Sequence, residues 1–78
     1  MNAFETAQPD ISVCVPIYNE EESVGPLHEA IVAALEPSGY SFEIVLVDDG
    51  SKDDTIPRLR AIAAADPRVV VVRFRRNA

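Results

Sequence analysis

Two short polar clusters, each directly after an apolar run, hold the side chains of this chain that are best suited to chemistry. One cluster is PIYNE at residues 16–20, and the other is DDGS at residues 48–51. A carboxylate of the second cluster can accept hydrogen bonds from a base edge, such as the imino N–H of uracil or the N1–H and amino group of guanine. Tyr18 offers a flat ring for stacking and a hydroxyl group, and Pro16 restricts the loop that carries it. Together the two clusters predict a nucleoside pocket.

The residues around these clusters predict a strand, a helix, a strand, a helix and a strand, in that order. The apolar runs at 11–16 and 43–48 are typical of parallel strands that are buried on both faces, and residues 69–74 predict a third strand. Two apolar stripes with helical spacing lie between the strands. Their members are Val24, Leu27, Ile31 and Leu35, followed by Ile56, Leu59, Ile62 and Ala63.

Polar residues mark the ends of both predicted helices. Asn19, with Glu22 three residues later, predicts a capping box at the start of the first helix. Asp53 and Asp54 are expected to cap the second helix. The Asp-Pro pair at 66–67 is expected to end it, because a residue before proline avoids helical geometry.

These elements predict an α/β fold, namely a βαβαβ Rossmann-like half-fold with a parallel three-stranded sheet. Right-handed crossovers place both helices on one face and give the strand order 3-2-1. Ligands of such sheets bind beyond the carboxyl ends of the strands, which is where both polar clusters fall. The first strand is then an edge, and a bare apolar edge invites pairing, so we expect further strands or self-association to cover it. Residues 1–10 are polar and are interpreted as a flexible leader.

Charge and glycine content narrow the classes of function. The formal net charge of −6 over 78 residues argues against a nucleic-acid-binding protein, which needs a basic face. The three glycines, at positions 25, 39 and 50, cannot form a glycine-rich phosphate loop, so a dinucleotide-binding Rossmann domain and a P-loop nucleotidase are disfavoured. The phosphates of a bound nucleotide then need another partner, most economically a divalent metal with carboxylate ligands.

Other residues are given structural interpretations. The single cysteine, Cys14, excludes an internal disulfide and is expected to be a small buried side chain. His28 is expected to face solvent. The arginines at 68, 73, 75 and 76 are interpreted as a solvated strand end, with contact to phosphates as the second option. The first ten residues do not have the pattern of a signal peptide, and no run approaches the roughly 20 apolar residues of a membrane span.

Residues 13–20 (VCVPIYNE) and 43–51 (EIVLVDDGS), in this order and at this spacing, resemble the opening of the family 2 glycosyltransferases. Within that family the chain is most similar to the branch of dolichol-phosphate mannose synthases and polyprenyl-phosphate sugar transferases. Residues 52–55 (KDDT) fill the place of the family's short acidic run, and residues 73–77 (RFRRN) resemble the stretch before its asparagine-x-glycine turn. The resemblance covers residues 11–78 and implies the nucleotide-binding first part of a GT-A nucleotide-diphospho-sugar transferase domain.

The resemblance also implies a set of nucleotide-sugar-binding residues, drawn from both clusters and the end of the second strand. These residues are Pro16, Tyr18, Glu20, Val47, Asp48 and Asp49. Asp49 is expected to accept the hydrogen bond from the base. Asp48 is expected to orient the turn, with direct contact to the nucleotide as the second option.

The activity implied is transfer of a sugar from a UDP- or GDP-sugar to a polyprenyl phosphate, dolichyl or undecaprenyl, at the cytoplasmic face of a membrane. The family's D-x-D motif for Mg²⁺ or Mn²⁺, its catalytic base and its acceptor-binding helices come after this segment, and no D-x-D occurs in these 78 residues. The chain is therefore expected to contain no catalytic residue and no metal ligand. We expect it to hold part of a sugar nucleotide without transferring the sugar.

Two other interpretations are compatible with parts of the pattern. One is a truncated product without independent activity, which has the same ancestry. The other is a signalling module of the response-regulator type, in which an acidic pair holds magnesium beside a phosphorylated aspartate. That module needs its acidic pair after the first strand and an aspartate at the end of the third, whereas here the third strand runs into RFRRN.

Overall fold

The computed structural model describes residues 8–74, so most of the predicted leader and the arginines at 75 and 76 lie outside the described residues. Three strands and two helices alternate along the chain, with one short 3₁₀ turn after the first helix. They are β1 (Ile11–Ile17), α1 (Val24–Leu35), the 3₁₀ turn (Glu36–Ser38), β2 (Phe42–Asp48), α2 (Thr55–Ala65) and β3 (Val69–Arg73). The strands are parallel and follow the order β1-β2-β3, which confirms the predicted βαβαβ topology.

The hydrophobic core lies between the two helices and one face of the sheet. Along β2, the residues buried on this face alternate with half-buried residues on the other face. The side chains that form the core come from all three strands and both helices. They are Ile17, Val24, Phe42, Ile44, Leu46, Ile56, Leu59 and Val69. Their enclosure removes apolar surface from water, which is the main favourable contribution to folding.

The second face of the sheet remains open in the described part of the chain, so burial on both faces was wrong for β1. This strand alternates between half-buried and exposed residues up to Ile17. Cys14 is exposed on the open face, contrary to the expected buried position. The reason is topological, because right-handed crossovers place both helices on the same face of the sheet.

The first helix begins later than its predicted cap. Ser23 is the N-cap of α1 and makes no side-chain capping hydrogen bond, so the predicted Asn19–Glu22 capping box was wrong. Asn19 instead takes a left-handed backbone conformation, with φ of 47°. Pro26 lies in the first turn of α1, where a missing N–H costs no helical hydrogen bond.

The carboxylate of Asp66, at the end of α2, contacts His28 of α1. The expectation that His28 faces solvent was therefore wrong. The Nε2 atom of His28 lies 2.8 Å from Oδ2 of Asp66, and the His28 side chain is only 20% exposed. Asp66 is the C-cap residue of α2, as the Asp-Pro pair predicts. Arg68 donates to both carboxylate oxygens, from Nε at 2.9 Å and from Nη2 at 3.1 Å. These bonds, and the bond to His28, hold the pKa of Asp66 far below its usual range.

Among residues 8–74, no helix combines the length and the apolar character that a bilayer crossing requires.

Candidate functional site

The carboxyl ends of β1 and β2 bring the two polar clusters together. Ile17 pairs in register with Asp48, and Asp48 pairs with Arg73 of β3. Beyond the last pairs, the N–H of Asp49 donates to the carbonyl of Ile17 at 3.0 Å, and the N–H of Phe74 donates to the carbonyl of Asp48 at 2.9 Å. The two clusters therefore leave one edge of the sheet side by side.

The buried side chain of Asp48 shapes the turn that follows β2. Asp48 is 0% exposed, and its Oδ2 accepts hydrogen bonds from the N–H groups of Gly50 and Ser51, both at 3.1 Å. Gly50 has φ of 78°, a conformation that residues with a Cβ atom adopt at a cost. Oδ1 of Asp48 is buried and has no hydrogen-bond partner within residues 8–74. This geometry favours the interpretation in which Asp48 orients the turn, while its ligand role stays a prediction.

The other predicted residues lie on the outer side of this edge. Pro16 and Val47 are partners in the β1–β2 register and lie on the open face, opposite the buried Ile17 and Asp48. Tyr18 and Asp49 come next in each strand and are both exposed, with Tyr18 at 44%. Because their preceding residues are paired, Tyr18 and Asp49 are neighbours across the two strand ends.

Glu20 lies further out, in the loop that leads to α1. Its side chain is exposed, while its backbone N–H donates to Thr55 Oγ1 at 3.0 Å. The structure thus holds the backbone of Glu20 in place. The predicted role of its carboxylate in a nucleoside pocket remains a prediction.

A set of hydrogen bonds joins the loop after β1 to the loop after β2, and we call it the loop clamp. Asn19 N–H donates to Ser51 Oγ at 2.8 Å, and Lys52 N–H donates to Asn19 Oδ1 at 2.8 Å. The loop clamp also contains the bond from Glu20 N–H to Thr55 and a longer one, of 3.4 Å, from Glu21 N–H to an Asp53 carboxylate oxygen. Each bond links residues that are distant in the chain but adjacent at the strand ends.

The loop clamp was not predicted from the sequence, because Asn19 and Asp53 were assigned to helix caps. Asp53 Oδ1 does accept from the N–H of Thr55, but it also accepts from the Thr55 hydroxyl group. The hydrogen bonds from Thr55, above all the one from its hydroxyl group, lower the pKa of Asp53. The identity of residue 19 was the available signal, because asparagine tolerates a left-handed backbone conformation better than most residues. That conformation, which Asn19 adopts, fits a turn better than a helix cap.

The surface beside the loop clamp is acidic. A shallow depression there is lined by Asn19, by Glu20–Ser23 and by Asp53. Arg58 lies 3.9 Å from the Glu21 carboxylate, and both side chains are partly exposed, so this pair compensates the charge weakly. An acidic surface repels phosphate groups unless a cation lies between them.

The described residues do not provide a metal site. Within residues 8–74, no three side chains of histidine, cysteine, aspartate or glutamate are grouped so that they could hold a metal ion. Tyr18 and Asp49 offer two other kinds of contact, namely stacking against a ring and acceptance of hydrogen bonds from the N–H groups of that ring.

Comparison with known proteins finds similarity to sugar-transferring enzymes. The model of the family described as "Glycosyl transferase family 2" matches residues 12–78. The chain is 42% identical over 67 residues to the prophage bactoprenol glucosyl transferase homolog of Escherichia coli, covering 86% of this chain and 22% of that protein. It is 46% identical over 79 residues to the undecaprenyl-phosphate 4-deoxy-4-formamido-L-arabinose transferase of Edwardsiella ictaluri, covering 99% of this chain and 24% of that protein.

A solved structure shows the same fold. The mannosyltransferase PcManGT from Pyrobaculum calidifontis, in complex with GDP-Man and Mn²⁺, superposes with a TM-score of 0.59 at 31% identity. The match covers 94% of this chain and 22% of that chain. The chain thus spans less than a quarter of the length of the relatives that it matches.

Proposed function

Since the chain belongs to glycosyl transferase family 2, we propose that it forms the nucleotide-sugar-binding portion of a glycosyltransferase. The whole enzyme transfers a sugar from a UDP- or GDP-sugar to a polyprenyl phosphate. The described residues supply the surface that holds the base. The acceptor site and the reacting groups lie in other parts of a protein of the relatives' length.

The observation that carries this proposal is the position of Tyr18 beside Asp49. Both are exposed and follow directly on the paired residues Ile17 and Asp48. A base that stacks on the Tyr18 ring can direct an N–H group at the Asp49 carboxylate. Stacking on an aromatic side chain contributes about 1–3 kcal/mol per base, and a hydrogen bond to a charged group contributes about 1.5–3 kcal/mol.

This geometry serves uracil and guanine alike. Uracil presents one imino N–H, and guanine presents N1–H next to an amino group, so a carboxylate can accept from either base. The solved relative is named as a complex with GDP-Man, which supports a guanine nucleotide as one of the two donors to be tested.

The proposed acceptor is based on the relatives. Their names specify transfer involving bactoprenol and undecaprenyl phosphate. A polyprenyl chain resides in the bilayer while a sugar nucleotide is water-soluble, so we place the reaction at the cytoplasmic face of the membrane. Self-association through the β1 edge stays a prediction.

A divalent metal is proposed for the whole enzyme. The solved relative is named as a complex with Mn²⁺, and an acidic surface beside a nucleotide diphosphate calls for a cation. When bound, such a metal would neutralise the diphosphate leaving group. Its ligands are expected outside residues 8–74, which contain no suitable group of side chains.

Calorimetric titration of the 78-residue chain tests the proposal. UDP, GDP and their sugars are added with and without Mn²⁺, and ADP serves as the control nucleotide. We expect UDP or GDP to bind with a dissociation constant in the millimolar range or tighter, and Asp49→Ala to weaken that binding about tenfold or more. Asp54→Ala is the matched control, because Asp54 lies in the same loop and makes no side-chain capping bond. A folded chain that binds none of these nucleotides contradicts the proposal.

A further inference from the structure

We propose that the loop clamp is a positioning device, which sets the distance between the Tyr18 ring and the Asp49 carboxylate and so controls nucleotide affinity from outside the binding surface. The proposal rests on the nucleotide-binding function proposed above. It adds a role for residues that do not belong to the predicted nucleotide-binding set, above all Thr55 and Asp53.

In three of the hydrogen bonds of the loop clamp, the backbone of the loop after β1 is the donor. Three consecutive backbone N–H groups, at positions 19, 20 and 21, all donate to side-chain oxygens of the segment between β2 and the start of α2. Such a row fixes the backbone that directly follows Tyr18. The loop after β1 therefore takes its position from the loop after β2, which carries Asp49.

The Thr55 hydroxyl group holds the central place in the loop clamp. Thr55 is 0% exposed, and its Oγ1 accepts from Glu20 N–H at 3.0 Å while donating to Asp53. One hydroxyl group thus connects a backbone amide of one loop to a carboxylate of the other. Hydrogen bonds in such a chain polarise and strengthen one another in a buried setting. The loss of this single oxygen breaks the Glu20 link of the loop clamp and also removes a hydrogen bond that positions the Asp53 carboxylate.

The loop after β2 also donates a hydrogen bond to the loop after β1. Asn19 Oδ1 accepts from Lys52 N–H at 2.8 Å, while the backbone N–H of Asn19 donates to Ser51. Each loop consequently both donates to and accepts from the other. Neither loop can move relative to the other without breaking several bonds.

Such a device raises affinity because it removes a cost of binding. A base that contacts two independent loops must order both when it binds, whereas loops that are already joined lose little freedom. The bonds of the loop clamp join backbone amides to the side chains of Asn19, Ser51, Asp53 and Thr55. The loops are thus joined through residues other than Tyr18 and Asp49.

The test compares Thr55→Val with Thr55→Ser. Valine keeps the size of threonine without the hydroxyl group, and serine keeps the hydroxyl group. By titration with whichever of UDP or GDP binds the wild-type chain, we expect Thr55→Val to lose about tenfold in affinity, which equals about 1.4 kcal/mol. We expect Thr55→Ser to stay within about threefold of wild type, because the serine hydroxyl group can make both the bond from Glu20 N–H and the bond to Asp53. Ser23→Ala removes a hydroxyl group from the loop after β1 that makes no capping bond, and we expect it to bind like wild type.

A second variant and a spectroscopic readout keep the test independent of folding. Asn19→Gly retains the positive φ but loses the Oδ1 acceptor, so it weakens the clamp from the other loop. In the NMR spectrum without ligand, we expect faster amide exchange at residues 19–21 and shifted Tyr18 and Asp49 resonances in Thr55→Val and Asn19→Gly, but not in Thr55→Ser or Ser23→Ala.

The outcomes separate this inference from the proposed function. If the wild-type chain binds and both clamp variants bind equally well, only the positioning role is wrong. If the wild-type chain binds no nucleotide, the proposed function fails and the positioning role fails with it. Weaker binding in both variants, with rescue by serine, supports the inference.

Discussion

Tyr18 and Asp49 leave the sheet as neighbours because Ile17 and Asp48 are register partners, and the N–H of Asp49 donates to the carbonyl of Ile17 at 3.0 Å. The pairing of the two strand ends thereby brings a stacking surface and a hydrogen-bond acceptor to one edge of the sheet. The turn after β2 stabilises this edge, and substitutions at Asp48 and Gly50 measure by how much.

Asp48→Ala is expected to destabilise the fold by about 2–3 kcal/mol, because it leaves the N–H groups of Gly50 and Ser51 without their acceptor. Asp48→Asn retains one oxygen and is expected to cost about 1 kcal/mol less. Urea unfolding followed by circular dichroism measures both values. Asp54→Ala is the control, and equal stability of Asp48→Ala and this control would contradict the role of Asp48 in the turn.

Gly50→Ala is expected to cost roughly 1–2 kcal/mol, because an L residue at φ of 78° brings its Cβ atom too close to the backbone. Gly25→Ala is the matched control. A Cβ atom there meets nothing within 4 Å, and Gly25 lies in α1, so this variant is expected to gain between zero and about 1 kcal/mol. Thermal unfolding of the two variants should shift the midpoint in opposite directions, and a similar shift for both would be the contrary result.

The stability contributed by Asp66 is expected to depend on acid pH. Hydrogen bonds from Arg68, and then from His28, lower the pKa of the folded-state carboxyl group. A group with a lowered folded pKa stabilises the protein above its unfolded pKa of about 3.9 and loses this contribution as the pH falls further.

Unfolding free energies of wild type and Asp66→Asn, measured between about pH 6 and pH 3, test this expectation. The difference between the two proteins should be largest at the upper end and shrink toward the acid end. A difference that stays constant over this range would show that Asp66 gains nothing from its charge. The comparison cancels the other carboxylates, including Asp53, whose pKa is also lowered.

Cys14 is expected to react with a thiol reagent in the folded chain about as fast as in the denatured chain, because it is exposed on the open face of the sheet. Absorbance of the released reagent product measures the rate at several protein concentrations. Protection in dilute native protein would contradict the exposed position. Protection that grows with concentration would show that a second copy covers this face.

The order and type of the elements were predictable from the sequence for a short-range reason. The spacing of apolar residues indicates whether a segment is a strand or a helix, and helical crossovers between parallel strands are almost always right-handed. The observed elements start and end within a few residues of the predicted ones, apart from the later start of α1 at Val24.

The errors share a different cause. The apolar composition of β1 shows which side chains are available for burial, but it does not show which face of the sheet another element covers, and therefore Cys14 was misplaced. His28 was expected in solvent because its partner, Asp66, lies 38 residues away in the chain. Asn19 was assigned to a cap although its acceptor atom binds Lys52, which is 33 residues away.

By itself, the sequence determined that two polar clusters lie at the carboxyl ends of neighbouring parallel strands, since local periodicity places each cluster and parallel pairing aligns the strand ends. Only the tertiary structure decided how the clusters are joined. It buried Asp48 and left Asp49 exposed, although they are adjacent and chemically identical. It also built the loop clamp from residues 32 to 35 positions apart. Contacts between residues so far apart in the chain depend on how the helices pack against the sheet, which local secondary-structure propensities do not specify.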